Sequence, residues 1–263
     1  MKSFISILFA TIAFTACKKD TAMAYDPSRR GPLQIEFDNI IGSADLQLNT
    51  GVYRNALNQP FSVTRLKYYI SNFRVTNTKG QVFTVPQNES YFLIDESVPA
   101  SIRPLINVPE GEYSRIEFTL GVDSLRNTMD VSQRTGVLDV SAAAADMYWS
   151  WNSGYIFFKL EGTSPLITAM GGIFQYHVGG FGGYSTPVTN NLRQFSIDLS
   201  ARGNAKVVSG RTPNIHLFAD ASRAISGGTN LDFSTTSMIH SPSAAVAVRN
   251  NYFNMFTHYH TEN

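Results

Sequence analysis

LQIEFD, residues 33–38, puts Leu33, Ile35 and Phe37 on one side of an extended chain and Gln34, Glu36 and Asp38 on the other. A period of two marks a strand with one buried and one wet face. RIEFTL (115–120) and QFSIDL (194–199) repeat the pattern. Tyr91–Ile94, Tyr155–Leu160, Ile173–Val178 and Ile215–Phe218 are continuous apolar or aromatic runs, which read as central strands. Turn residues separate them: Asn49–Thr50–Gly51, Lys79–Gly80, Pro109–Glu110–Gly111 and Asn152–Ser153–Gly154. One helix is predicted, opening at Ser241–Pro242 and carrying Ala245, Val248, Tyr252 and Phe256 at helical spacing. A lesser helical turn is expected over Ser141–Ala145. The fold class is therefore all-β: an antiparallel β-sandwich with long loops and a C-terminal helix.

The start of the chain reads as an export signal. A short basic region, Met1–Lys2, precedes an apolar run from Phe4 to Phe14, too short to span a bilayer. Phe14–Thr15–Ala16–Cys17 then resembles a lipobox, and Cys17 is the only cysteine of the 263 residues. The expected division is a signal peptide over 1–16, a polar tether over 17–32 and one domain over 33–263, anchored to the envelope membrane by lipid on Cys17. Lys18–Lys19–Asp20 resembles the export signals of surface lipoproteins in Bacteroidetes. A lone cysteine excludes an internal disulfide, so 43% hydrophobic residues must supply stability through burial. Net charge is +1, and basic residues form no run beyond Lys18–Lys19 and Arg29–Arg30, which argues against a nucleic-acid partner.

No Gly-x-Ser-x-Gly elbow is present, so a serine hydrolase is excluded. Gly179–Gly180–Phe181–Gly182–Gly183 lacks the following Lys-Ser/Thr of a phosphate loop. Its glycines suit a tight turn beside something bulky. All five histidines lie in the C-terminal third: His177, His216, His240, His258 and His260. None forms a His-Glu-x-x-His motif, which argues against a zinc protease. Imidazole is nevertheless the usual copper ligand in an exported protein without paired thiols. His177 ends a predicted strand next to glycines. His240 precedes the helix cap, where the dipole favours the neutral, metal-binding imidazole. These two are the expected metal ligands, with His258 and His260 as runners-up near the terminus and His216 as structural.

The only tryptophans, Trp149 and Trp151, stand two apart and so share one face of an extended segment. Three readings compete: core anchors, a sugar-stacking platform, or a ring beside a metal that is oxidised to kynurenine, whose amine and carbonyl can ligate.

Blocks in order along the chain resemble one family. Tyr68–Tyr69–Ile70–Ser71–Asn72, Tyr91–Phe92–Leu93–Ile94–Asp95 and Leu120–Gly121–Val122–Asp123 come first. Met147–Tyr148–Trp149–Ser150–Trp151 through Gly154–Tyr155 follows a Met–aromatic–Trp–x–Trp–x–x–Gly–Tyr signature. His177–Val178–Gly179 and Asn251–Tyr252–Phe253–Asn254–Met255–Phe256 complete the set. Together they resemble the MbnP family of exported copper-binding proteins. The resemblance implies a β-sandwich with copper as cofactor, and a MauG-like di-haem enzyme as the partner that oxidises a tryptophan to kynurenine. Many members carry a four-cysteine pattern, and this chain has none of it. The expectation is a copper carrier or acquisition lipoprotein of the cell envelope, not an enzyme. The alternative is a metal-free surface module binding glycan or protein through Trp149, Trp151, Tyr155 and Tyr176.

Overall fold

The computed structural model describes residues 25–151 and 154–263. The expected signal peptide, Cys17 and the first half of the tether lie outside the described residues. In chain order the main strands are β1 (Arg30–Ile41), β2 (Pro60–Asn77), β3 (Tyr91–Asp95), β4 (Leu105–Pro109), β5 (Gly111–Leu120), β6 (Tyr148–Trp149), β7 (Gly154–Thr163), β8 (Ile173–Gly179), β9 (Arg193–Asp198), β10 (Asn214–Asp220), β11 (Met238–Ile239) and β12 (Phe256–Glu262). Together with four short strands, Ala44–Asp45, Tyr53–Arg54, Val82–Thr84 and Ala205–Val207, they form a five-stranded and an eleven-stranded sheet among the described residues. β12, β10 and β1 run side by side in the smaller sheet, with β4 on the far edge of β1. The larger sheet follows the order β9, β5, β2, β7, β8, β11.

Alternation sends Leu33, Ile35 and Phe37 of β1 inward, where none is exposed. They meet the inward residues of the larger sheet. The Phe37 ring stands edge-on to Phe118 at 5.6 Å and to Tyr68 at 6.3 Å, a favoured aromatic geometry. All seven expected strands form. Two pairings are parallel rather than antiparallel, β1 with β10 and β8 with β11.

The continuous run of β7 has its own cause. Phe158 and Leu160 enter the core between the sheets. Tyr155 and Phe157 enter a second cluster on the outer face of the larger sheet, with Tyr69, Leu138, Met147 and Phe181. The excursion between β5 and β7 folds back over that face, so β7 is buried on both sides. Lys67 of β2 pairs with Asp95 of β3 and with Lys159 of β7, which places β3 and β7 on opposite edges of β2. Among the described residues β3 pairs only with β2, so Tyr91–Ile94 is an edge strand and not a central one. Its run is apolar because Phe92 packs on the main core and Tyr91 and Leu93 on the second cluster.

The predicted C-terminal helix is shorter than expected. Turns follow Ser241, the helix covers Val246–Asn251, and Asn254 at φ 61° redirects the chain into β12. Phe256 therefore opens a strand. The intended inward face survives: Ala245, Val248, Tyr252 and Phe256 are all buried. Ser141–Ala145 turns without becoming a helix. β1 begins at Arg30, so residues 30–32 belong to the sheet and not to the expected tether.

Candidate functional site

The outer face of the larger sheet carries one polar row. Asp95 of β3, Lys67 of β2, Lys159 of β7 and His177 of β8 are successive cross-strand partners. β11 extends the row: Tyr176 pairs with Ile239, so the next residues in parallel register are His177 and His240. The two imidazole rings stack with centroids 4.4 Å apart and planes 19° from parallel. Residues remote in sequence, the two expected ligands, are neighbours here.

Each ring has a distinct environment. His177 Nε2 is 2.7 Å from Glu161 Oε1 of β7. This hydrogen bond is the main cause holding the Glu161 carboxyl below its ordinary range. His240 Nε2 is buried and has no hydrogen-bond partner among the described residues. Burial pushes the His240 pKa down, and the charges of His177 and Lys159 add to this against the opposing pull of Glu161. His240 is thus held as neutral imidazole with a free buried nitrogen. Its position is set by Asn191, whose Nδ2 donates to Gly179 O and to Pro242 O, both at 2.8 Å.

The tryptophans sit on the same face. β6 pairs with the start of β7, with Trp149 opposite Gly154. Trp149 lies against Gly179, two residues past His177. A Cβ at Gly179 would come within 2.6 Å of the Trp149 ring, so only glycine admits it. Trp151 stacks on the outer side of Trp149 at 4.8 Å and 25°, and is 46% exposed. The glycine run that begins with the last residue of β8 thus makes the close approach that its composition suggests.

Charge fixes the segment that carries these rings. Asp146 lies at 3.2 Å from Lys67, 3.4 Å from Arg65 and 3.6 Å from Lys159. Lys159 Nζ also donates to the Asp146 carbonyl. Burial alone would raise the Asp146 pKa, but Lys159, Lys67 and Arg65 hold it below the usual value. Arg134 ties the next turn down. It donates to Asn127 O, Met129 O and the hydroxyls of Tyr148 and Tyr184. Sequence reasoning missed Asp146, Lys159, Asn191 and Arg134. Lys159 and Glu161 beside the aromatic run were the available signal.

The remaining histidines lie elsewhere. His216 is on the outer face of the smaller sheet, bonded to Asp38 at 3.0 Å, in keeping with a structural role. His258 and His260 do not continue the helix or hang from a mobile end. They are in β12, with His260 opposite His216. They do not join His177 and His240.

The free nitrogen of His240 beside a second imidazole suits a metal that favours nitrogen donors, such as copper. Two imidazoles do not complete a site. Among the described residues no group of three or more His, Cys, Asp or Glu side chains is arranged to hold a metal. Among the described residues a third donor would have to come from another residue type, and Trp149 packs on Gly179, two positions along β8 from His177.

Comparison with known proteins gives a shared fold and a family. No curated protein matches by sequence. The solved structure of MbnP from Methylosinus trichosporium superposes with a TM-score of 0.54 over 84% of this chain and 87% of that one, at 16% identity, which shows a shared fold. The MbnP family model matches residues 30–242, from the first residue of β1 to Pro242 beside the imidazole pair, and the chain belongs to the MbnP family.

Proposed function

We propose that this protein is an envelope-anchored copper-binding lipoprotein, acting as a carrier or in copper acquisition and not as an enzyme. The family is exported and associated with copper. Among the described residues no helix is long and apolar enough to cross a membrane. The observation that carries the reading is the stacked pair His177–His240 with its free buried nitrogen, next to Trp149. His240 would ligate through Nε2. Glu161 orients the His177 ring in the manner of an outer-shell carboxylate. Asp146, Lys159 and Arg134 hold the tryptophan segment against the site. A kynurenine formed from Trp149 by a MauG-like di-haem partner would supply the third donor. Trp151, stacked outside it and exposed, is the face such a partner meets first.

Copper per chain, measured after loosely held metal is removed, tests the site. His177→Ala is expected to abolish stoichiometric copper while circular dichroism stays native. His216→Ala is expected to leave copper unchanged. Full occupancy in folded His177→Ala overturns the site and favours the metal-free glycan-binding reading. Intact mass of protein from its native host tests the modification, since tryptophan to kynurenine exchanges one carbon for one oxygen, and the tryptic peptide locates it.

A further inference from the structure

A second feature lies on the outer face of the larger sheet, at the opposite end of β3 from Asp95. A cavity of about 560 Å³ opens there, lined among others by Asn88, Tyr91, Arg126, Met129, Gln133 and Leu138. Arg126 is its only charged lining residue and is 9% exposed. Its guanidinium lies over the Tyr91 ring at 5.2 Å. Nη2 donates to Asn88 Oδ1, and Nη1 has the Met129 thioether, a weak acceptor, at 3.0 Å. Nε is buried with no hydrogen-bond partner among the described residues. No carboxylate among the described residues pairs with this cation. The neighbouring Asp123 instead accepts from Asn72 at 2.9 Å, Gln87 at 3.3 Å, Tyr91 at 2.5 Å and the Arg126 backbone at 3.2 Å.

The nearby Arg134 shows what a purely structural buried arginine looks like in this fold. Its Nε and both Nη groups reach oxygen acceptors between 2.7 and 3.2 Å. Arg126 has no such set of oxygen acceptors, and the residue lines a cavity. A guanidinium presents parallel N–H groups that match a carboxylate in bidentate fashion. A dianionic phosphate would call for a second cation or a nest of backbone N–H groups, and the lining has no second cation. Met129, Val137, Leu138 and the Tyr91 ring offer apolar surface for the body of the ligand, and Asn88, Gln133 and Thr135 offer neutral polar contacts.

We propose that this cavity binds a small organic carboxylate, with the carboxylate on the guanidinium of Arg126 and the apolar body between Tyr91 and Leu138. The site does not depend on the copper reading. Calorimetry on the purified protein with benzoate, benzamide and inorganic phosphate tests it. Saturable one-to-one binding of benzoate, with no binding of the uncharged benzamide, is expected. Arg126→Met should weaken benzoate binding about 10- to 100-fold, the usual worth of a hydrogen bond to a charged group. Gln133→Trp leaves the arginine in place and fills the exposed side of the cavity, and it should also weaken binding. His177→Ala should leave it unchanged. Equal affinity for benzamide, tighter binding of phosphate, or unchanged benzoate binding in folded Arg126→Met or Gln133→Trp would each overturn the proposal.

Discussion

His258 and His260 stand two apart on β12, yet their surroundings differ. His260 is partly exposed and lies 3.1 Å from Glu262. His258 is half-buried, with Nε2 on Thr261 at 2.9 Å and a buried Nδ1 that has no partner among the described residues. Burial lowers the His258 pKa, the charges of Arg202 and His260 lower it further, and the His260 backbone and Asp198 oppose them. The sign of the linkage follows. Above the ordinary imidazole value of 6.5, folded and unfolded chains are both neutral at this residue. Below it the unfolded chain takes up the proton more readily, so stability falls as pH drops through that value and levels off below the folded pKa. Urea midpoints measured across this window should fall with pH in the wild type. His258→Asn should show a shallower fall. The carboxylates of Asp95 and Asp146 act in a separate window, because their lowered values place their loss below 3.8.

At the scale of elements, the stretch Val246–Glu262 shows what periodicity alone can and cannot give. Helical spacing picked out Ala245, Val248, Tyr252 and Phe256 as an inward face, and each is buried. It could not show that Asn254 enters the left-handed region and turns the last of them into a strand residue. The Phe256 ring contacts Phe195 at 4.7 Å, Phe118 at 5.1 Å and Phe37 at 5.7 Å, and so joins both sheets. Phe256→Ala should therefore cost about 3–5 kcal/mol in urea denaturation. The Tyr252 hydroxyl makes a contrasting case. It is fully buried with no hydrogen-bond partner among the described residues, and burial pushes its pKa well up. Tyr252→Phe removes that unsatisfied group without opening a cavity. It should be neutral or should stabilise by up to about 1 kcal/mol, against a loss if the hydroxyl had a partner.

For the whole molecule, the strands were legible in the sequence because one-sided burial writes alternation into it. The pairing of the strands was not. β11 is a two-residue strand with no period to read, yet its parallel register on β8 is what brings His240 beside His177. The loop anchor Asp146 was equally hidden, because an aspartate in a turn looks the same whether it is solvated or held by three cations. The proposed lipid anchor is also a whole-chain property, and it would rest on Cys17. The chain from Cys17 to the start of β1 at Arg30 extends no more than ~3.6 Å per residue, so lipid on Cys17 would keep the sandwich close to the bilayer. A single acyl chain binds membranes only marginally, whereas two or three give stable anchoring. Wild-type protein should therefore partition with membranes and resist salt extraction. Cys17→Ser should either appear in the soluble fraction or accumulate with its leader uncleaved. Normal cleavage together with unchanged membrane retention in Cys17→Ser would show that something other than lipid on this residue holds the protein.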